Sequence, residues 1–337
     1  MGEETERKEE TEMKIAAYTY RDFDEARYFQ EFGKAYGVEI LPVREDPTPE
    51  NAALAAGCEG VSVLTTDISA EIIRKWSEAG VRHISTRTIG YDHIDLEAAK
   101  SCGMAVSNVT YSTGSVADYT VMMILMALRR VKSILKRAEG MDYSLKGNIG
   151  RQIGGLTVGV VGTGRIGTHV MRNLSGFGCE MLCYDPMPNP EAQSLGTYVP
   201  LEELFARSDV ITFHTPATRS SFHMVNAQTL QTMKDGVILV NTARGSIIDT
   251  PAFLDAIETG KVGAAALDVI ENEIGIYYGD YKYQNIGHRE LSILKDLPNV
   301  LIMPHMAFYT ENAVSDMVEH SIQHILNHDG NVLPEHG

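Results

Sequence analysis

The sequence predicts an α/β fold made of two doubly wound parallel-sheet domains, and three observations lead there. Short apolar segments alternate with helical patterns along almost the whole chain. At 337 residues the chain exceeds one typical domain and suits two. A glycine-rich turn, Gly162-Thr163-Gly164-Arg165-Ile166-Gly167, sits where an apolar strand pattern gives way to a helical one.

Taken in order, residues 1–12 are acidic, carry no apolar periodicity and read as a disordered tail. Strand patterns follow at 14–19, 38–41, 60–64 and 83–86, with helices at 25–36 and 69–79, the latter capped by Ser69. This is the smaller domain, flavodoxin-like and without a glycine fingerprint. The longest helical pattern, 115–139, carries Met122, Met123, Leu125, Met126 and Leu128 on several faces. Such a helix is central core or half of a subunit contact. The contact reading makes the protein a homodimer through this helix.

Six further strands, at 158–161, 181–184, 210–213, 237–241, 264–267 and 300–303, match a complete dinucleotide-binding Rossmann domain. A last helix at 312–327 reads as returning to the first domain. The expected division is therefore 13–112 with 306–337 as substrate domain, and 113–305 as nucleotide domain.

Composition narrows the function classes. A formal charge of −16 argues against nucleic acid and anionic membranes, which attract basic surfaces. The apolar run 121–128 is far shorter than the ~20 residues that span a bilayer, and the acidic N-terminus does not resemble a signal peptide. Cys58, Cys102, Cys179 and Cys183 show no metal or disulfide spacing and read as small buried apolar residues. A cytoplasmic protein is expected. His320, His324 and His328 stand four apart on the last helix, but lack a clear fourth ligand, so no metal is expected.

The glycine turn has physical content. Gly162 permits the tight turn, Gly164 admits a pyrophosphate to the backbone, and Gly167 allows close helix–strand packing. Asp185, closing the next strand, suits the hydroxyls of an adenosine ribose and repels a 2′-phosphate, which favours NAD over NADP. Ligands in such folds bind at the carboxyl ends of the strands. There the chain places Arg244 after 237–241, Asp268 and Glu273 after 264–267, and His305 after 300–303. Taken singly, each reads as a surface or structural residue. Together they equip the chain for hydride transfer to a 2-oxo acid. Arg244 would grip the carboxylate and polarise the keto oxygen. His305 would supply the proton, and Glu273, in contact with it, would stabilise the imidazolium.

At this point the chain resembles the D-isomer-specific 2-hydroxyacid dehydrogenases, over nearly all of 13–327. The motifs are TRTIGYDHID (86–95), NVTYS (108–112), the glycine turn, NTARG (241–245), AALDVIENE (265–273) and PHMAFYT (304–310). The last of these is similar to the D-lactate dehydrogenase branch, and SVADYT (115–120) to the vancomycin-resistance type.

The resemblance implies Arg244, Glu273 and His305 as the catalytic trio. It implies that main-chain N–H groups near Ile89 and Gly90 bind the substrate carboxylate, with Tyr111 and Phe308 beside the substrate. It places Arg165, Ile166, Asp185, Thr215, Pro216, Thr242, Ala243 and Asp268 around NAD. An active site in the cleft, closing about hinges near 112 and 305, is implied too. Leu64 stands where some relatives carry an aromatic wall, which admits 2-oxo acids larger than pyruvate. A non-catalytic NAD-sensing scaffold is the rival reading, and the intact trio weighs against it.

Overall fold

The computed structural model describes residues 13–327; the acidic tail at 1–12 and His328 lie outside them. The chain forms two compact units. One joins residues up to Ser112 with those from Thr310 onward, and the other runs from Thr113 to Tyr309.

The first unit holds β1 (Met13–Ala17), β2 (Val38–Pro42), β3 (Gly60–Val63), β4 (His83–Thr86) and β5 (Ala105–Asn108). They form one parallel sheet in the order β2-β1-β3-β4-β5, the flavodoxin-like pattern. Alternation along β1 feeds a core on each face. Ala16 and Tyr18 join Val61, Ile73 and Trp76, while Ile15 and Ala17 join Phe29, Val318 and Ile322.

The second of these cores is completed by the terminal helix, Glu311–Leu326. A Cβ at Gly60 would stand 2.6 Å from Ile325 Cγ2, and the Ser62 and Ser321 hydroxyls meet at 2.6 Å. β5 is absent from the sequence reading. Its Ser107 is buried against His83 Nε2 at 2.7 Å, so this strand lacks a purely apolar signature. Ser69 precedes the Ala70–Glu78 helix as expected, but its side chain makes no capping bond.

Just past β4, Arg87 is fully buried. It donates to Glu25 Oε1 (3.1 Å), Ser62 Oγ (2.9 Å) and the Tyr18 carbonyl (2.9 Å). Burial lowers its pKa while Glu25 pulls it back up.

The second unit holds β6 (Thr157–Val161), β7 (Glu180–Tyr184), β8 (Thr197–Tyr198), β9 (Val210–Phe213), β10 (Val237–Asn241), β11 (Val262–Leu267) and β12 (Val300–Ile302). The order is β12-β11-β10-β9-β6-β7-β8, so the two-residue edge strand β8 adds a seventh to the six predicted. Strand order reverses at β6, which lies between β7 and β9. In doubly wound sheets this reversal opens a binding crevice at the carboxyl ends.

The single helix expected at 115–139 is two, Gly114–Leu128 and Val131–Glu139. Arg130 between them takes a left-handed φ of 53°. Lys132 then donates to the carbonyls of Lys295, Leu297 and Val300 at 2.6–2.7 Å. Arginine is a good helix former, so nothing in composition marks the break. The first of the two helices is mostly core: Ala117, Val121, Met123, Ile124 and Leu128 pack under the sheet, where each large apolar side chain contributes about 1.5–3 kcal/mol. Exposed apolar side chains lie further on, at Leu135, Met141, Tyr143, Leu145 and Ile149.

No described helix is long and apolar enough to cross a membrane. The four cysteines are free thiols. His320 and His324 stack at 6.3 Å, and among the described residues no group of three or more His, Cys, Asp or Glu could hold a metal.

Candidate active site

Three neighbouring strands, β10, β11 and β12, end in register, Asn241 beside Leu267 and Leu267 beside Ile302. Each then releases a short loop. After β10, Asn241 braces its loop: its amide nitrogen donates to the Arg244 carbonyl (2.8 Å), and its amide oxygen accepts from Ala243 N–H (3.0 Å). Arg244 Nη1 donates to the Ala243 carbonyl at 2.7 Å. There is no space for a side chain at Gly245, whose Cβ would fall 2.0 Å from the Ile270 carbonyl. The loop bearing Arg244 therefore lies directly against the loop bearing Glu273.

His305 emerges from β12 with a left-handed φ of 53°, a conformation that costs energy unless its surroundings hold it. Asp268 does much of that holding. Its carbonyl accepts from His305 N–H (2.8 Å), and its fully buried carboxylate accepts from the N–H groups of Met306 and Ala307, both at 2.9 Å. Burial raises the Asp268 pKa against the pull of those bonds. On the other side Tyr278 donates its hydroxyl to the His305 carbonyl at 3.1 Å.

The histidine and glutamate meet. His305 Nδ1 lies 2.6 Å from Glu273 Oε1, and Glu273 Oε2 accepts from Ile270 N–H at 2.9 Å. With Nδ1 committed to a carboxylate, Nε2 is the ring nitrogen that can exchange a proton with a ligand. Aromatic rings stand around it, Tyr278 at 6.2 Å and Phe308 edge-on at 6.3 Å. Tyr277 packs beneath, its pKa raised by burial and by the nearby charges of Glu273 and Asp268. Tyr119 is pushed up to about 12 by burial and then by Asp268.

The glycine turn lies at the strand reversal. Gly162 has φ 93°, and its Cβ would meet the His214 carbonyl at 2.6 Å. A Cβ at Gly167 would fall 1.9 Å from the Gly162 carbonyl, whereas at Gly164 it would meet nothing within 4 Å. That open face caps the N-terminus of the Arg165–Leu174 helix. A cavity there is lined by Thr113, Gly164, Arg165, His169 and Arg172 among others. Asp185 Oδ2 accepts from Thr163 N–H (2.7 Å), and Thr163 Oγ1 meets Tyr198 Oη at 2.6 Å. Thr242 Oγ1 pairs with Thr120 Oγ1 at 2.8 Å, and the Pro216 carbonyl accepts from Ser221 Oγ at 2.6 Å. Glu191 also lines the cavity and pairs with Arg172, so an open glycine at a helix start, with Arg165 beside it and an acid on the next strand, is what fits a dinucleotide.

In the first unit, the loop after β4 carries Ile89 and Gly90. Their carbonyls accept from Asn108 Nδ2 (2.6 Å) and Thr88 Oγ1 (2.5 Å). Tyr111 is half-buried just past β5, and Leu64 is buried at the end of β3.

The family description "D-isomer specific 2-hydroxyacid dehydrogenase, NAD binding domain" matches residues 121–307. The D-specific alpha-keto acid dehydrogenase of Enterococcus faecium is 42% identical, over 90% of this chain and 94% of its own length. This chain belongs to the D-isomer-specific 2-hydroxyacid dehydrogenases. An aromatic 2-oxoacid reductase of Clostridium sporogenes is 39% identical, over 93% of this chain and 95% of its own. The NAD-complexed D-isomer specific 2-hydroxyacid dehydrogenase of Lactobacillus delbrueckii ssp. bulgaricus has a TM-score of 0.82 at 31% identity. It covers 96% of this chain and 99% of that one. The protein is accordingly an NAD-dependent D-2-hydroxyacid dehydrogenase.

Further residues pack around these loops. Tyr278 lies in the tyrosine-rich stretch 277–283, which follows Glu273 so closely in sequence that it reads as bordering the active site or packing on a partner subunit; the structure brings Tyr278 to His305. Glu271 falls inside the 265–273 motif without a role of its own, and His223 gave no signal. Glu271 Oε1 lies 2.6 Å from His223 Nε2, and Oε2 accepts from Thr250 N–H (3.0 Å) and Oγ1 (2.7 Å). Burial pushes Glu271 up, but these bonds outweigh it and hold its pKa below the usual carboxylate range.

Proposed function

We propose that Arg244, Glu273 and His305 carry the reduction of a 2-oxo acid to its D-2-hydroxy acid. The observation that carries this reading is the 2.6 Å contact between His305 Nδ1 and Glu273 Oε1. Arg244 binds the substrate carboxylate through its planar fork and polarises the keto oxygen. His305 Nε2 delivers the proton as negative charge develops on that oxygen, and Glu273 stabilises the cationic ring from which the proton leaves. Bound NADH supplies the hydride.

The glycine turn with Arg165 and Ile166 holds the pyrophosphate, and Asp185 the adenosine ribose. Thr215, Pro216, Thr242, Ala243 and Asp268 line the remainder. The bonds to the Ile89 and Gly90 carbonyls brace this loop, and its N–H groups are the donors that bind the substrate carboxylate. Tyr111 and Phe308 border the substrate.

The preferred substrates are 2-oxo acids with side chains larger than the methyl of pyruvate. Aliphatic Leu64 and the rings of Tyr278 and Phe308 near His305 support this. The protein works as a homodimer. Support for this comes from the apolar side chains that run from Leu135 to Ile149, where Leu145 and Ile149 are 90% and 86% exposed. Free thiols suit a reducing cytoplasm.

Relative kcat/KM for pyruvate, phenylpyruvate, 4-methyl-2-oxopentanoate and oxaloacetate with NADH tests the substrate reading. Pyruvate as the best substrate would refute it. Glu273→Gln tests the trio, with a fall in kcat of at least about 100-fold expected for a disabled acid–base pair; near-normal turnover would remove Glu273 from the role.

A further inference from the structure

Two glutamates, Glu271 and Glu273, flank Asn272 on the loop after β11. Asn272 takes a left-handed φ of 57°, and the two carboxylates find different partners. Glu273 reaches Ile270 N–H and His305. Glu271 reaches away from the proton donor, to His223 and to the first turn of the Thr250–Glu258 helix.

We propose that Glu271 and His223 form a positioning pair that sets Glu273 against His305. The inference rests on the catalytic reading of Glu273 given above. It adds residues that touch neither substrate nor cofactor.

The geometry carries the argument. Glu271 gathers three separate segments onto one residue. His223 comes from the loop beyond β9 and Thr250 from the start of a helix. His288 donates from Nε2 to the Glu271 carbonyl at 3.1 Å. His288 is itself fixed, because its Nδ1 accepts from Leu291 N–H (3.1 Å) and faces Glu290 at 3.5 Å.

His223 is no loose surface group either. Its φ is 47°, and its N–H donates to the Ser246 carbonyl at 2.8 Å. Its carbonyl accepts from Asn226 Nδ2 at 2.9 Å, and its ring stacks on Phe222 at 3.9 Å. The backbone is pinned at two consecutive residues, Ile270 by Gly245 and Glu271 by its own partners, so the turn that starts there has little freedom. The Glu273 carboxylate is two residues away and inherits that restriction. A displacement on the order of 1 Å can cost a reaction about 100-fold.

The test is a double-mutant cycle in the full-length protein, with phenylpyruvate and NADH. In the otherwise native enzyme, Glu271→Gln is expected to lower kcat about tenfold, with KM and the NADH Kd (fluorescence titration) within twofold. In the Glu273→Gln enzyme the same substitution is expected to change kcat by less than twofold, because the carboxylate it positions is gone.

His223→Gln keeps an N–H donor for Glu271 and is expected to retain most of the activity, whereas His223→Leu is expected to match Glu271→Gln. An equal loss in both backgrounds, or a native kcat in Glu271→Gln, overturns the proposal. So does a loss in His223→Gln as large as that in His223→Leu. Native turnover in Glu273→Gln alone is a separate result; it refutes the catalytic reading and withdraws the pair's role with it.

Discussion

His214 makes acid sensitivity of the second unit a calculable property. The residue follows β9, and its carbonyl packs against Gly162 of the glycine turn. Its ring edge reaches the surface only in part. Nε2 meets Thr212 Oγ1 at 3.0 Å, while Nδ1 is sealed and has no partner among the described residues. Burial pulls the pKa down from 6.5 to about 3. The folded protein therefore keeps this ring neutral where an unfolded chain would protonate it. Stability from this group is present above pH 6.5 and is lost as pH falls toward 3, at up to about 1.4 kcal/mol per pH unit. Between pH 7 and pH 5 the loss comes to about 2 kcal/mol. Urea unfolding at the two pH values, on the native chain and on His214→Gln, isolates the effect. The native chain is expected to lose about 2 kcal/mol more than the variant over that interval. Parallel pH dependences would refute the reasoning.

Two further expectations rest on equally local geometry. Gly164→Ala adds a methyl where nothing lies within 4 Å, so the melting temperature without cofactor is expected to stay within about 1 °C. If the glycine turn holds the pyrophosphate as proposed, the methyl would intrude on it, so the NADH Kd is expected to rise at least about tenfold. Tight NADH binding by this variant would move the cofactor's phosphates elsewhere. Arg87→Met leaves buried Glu25 with Arg21, at 3.0 Å, as its one charge partner among the described residues. A loss of about 3 kcal/mol is expected by chemical denaturation, and a change under 1 kcal/mol would contradict the pairing described.

The strands that lead to the candidate site were legible because β10, β11 and β12 are mainly valine, isoleucine, leucine and alanine and stop abruptly at polar residues. β10 and β11 are buried along nearly their whole length and show apolar continuity rather than alternation. The Glu273–His305 contact was legible for the same reason: adjacent strand ends bring together residues 32 apart in sequence. β8, two residues long, offers too little pattern to register. The break at Arg130 depends on tertiary anchoring by Lys132, which no local propensity encodes. The contacts of Glu271, His223 and Tyr278 were hidden because each is one polar residue on a loop, and its partner lies 48 or 27 positions away. Loop polarity is the default, so only the folded chain distinguishes a clamp from a solvated side chain.

The sheet of the first unit borrows its last covering helix, Glu311–Leu326, from the opposite end of the polypeptide, and this sets an order of events during synthesis on the ribosome. The middle unit is one continuous stretch and can fold as soon as it emerges. The N-terminal strands, made first, must wait with one face covered only in part, by the Ala26–Tyr36 helix, until Glu311–Leu326 has been made. A stalled or truncated nascent chain would thus carry a finished nucleotide-binding unit attached to an incomplete, aggregation-prone partner.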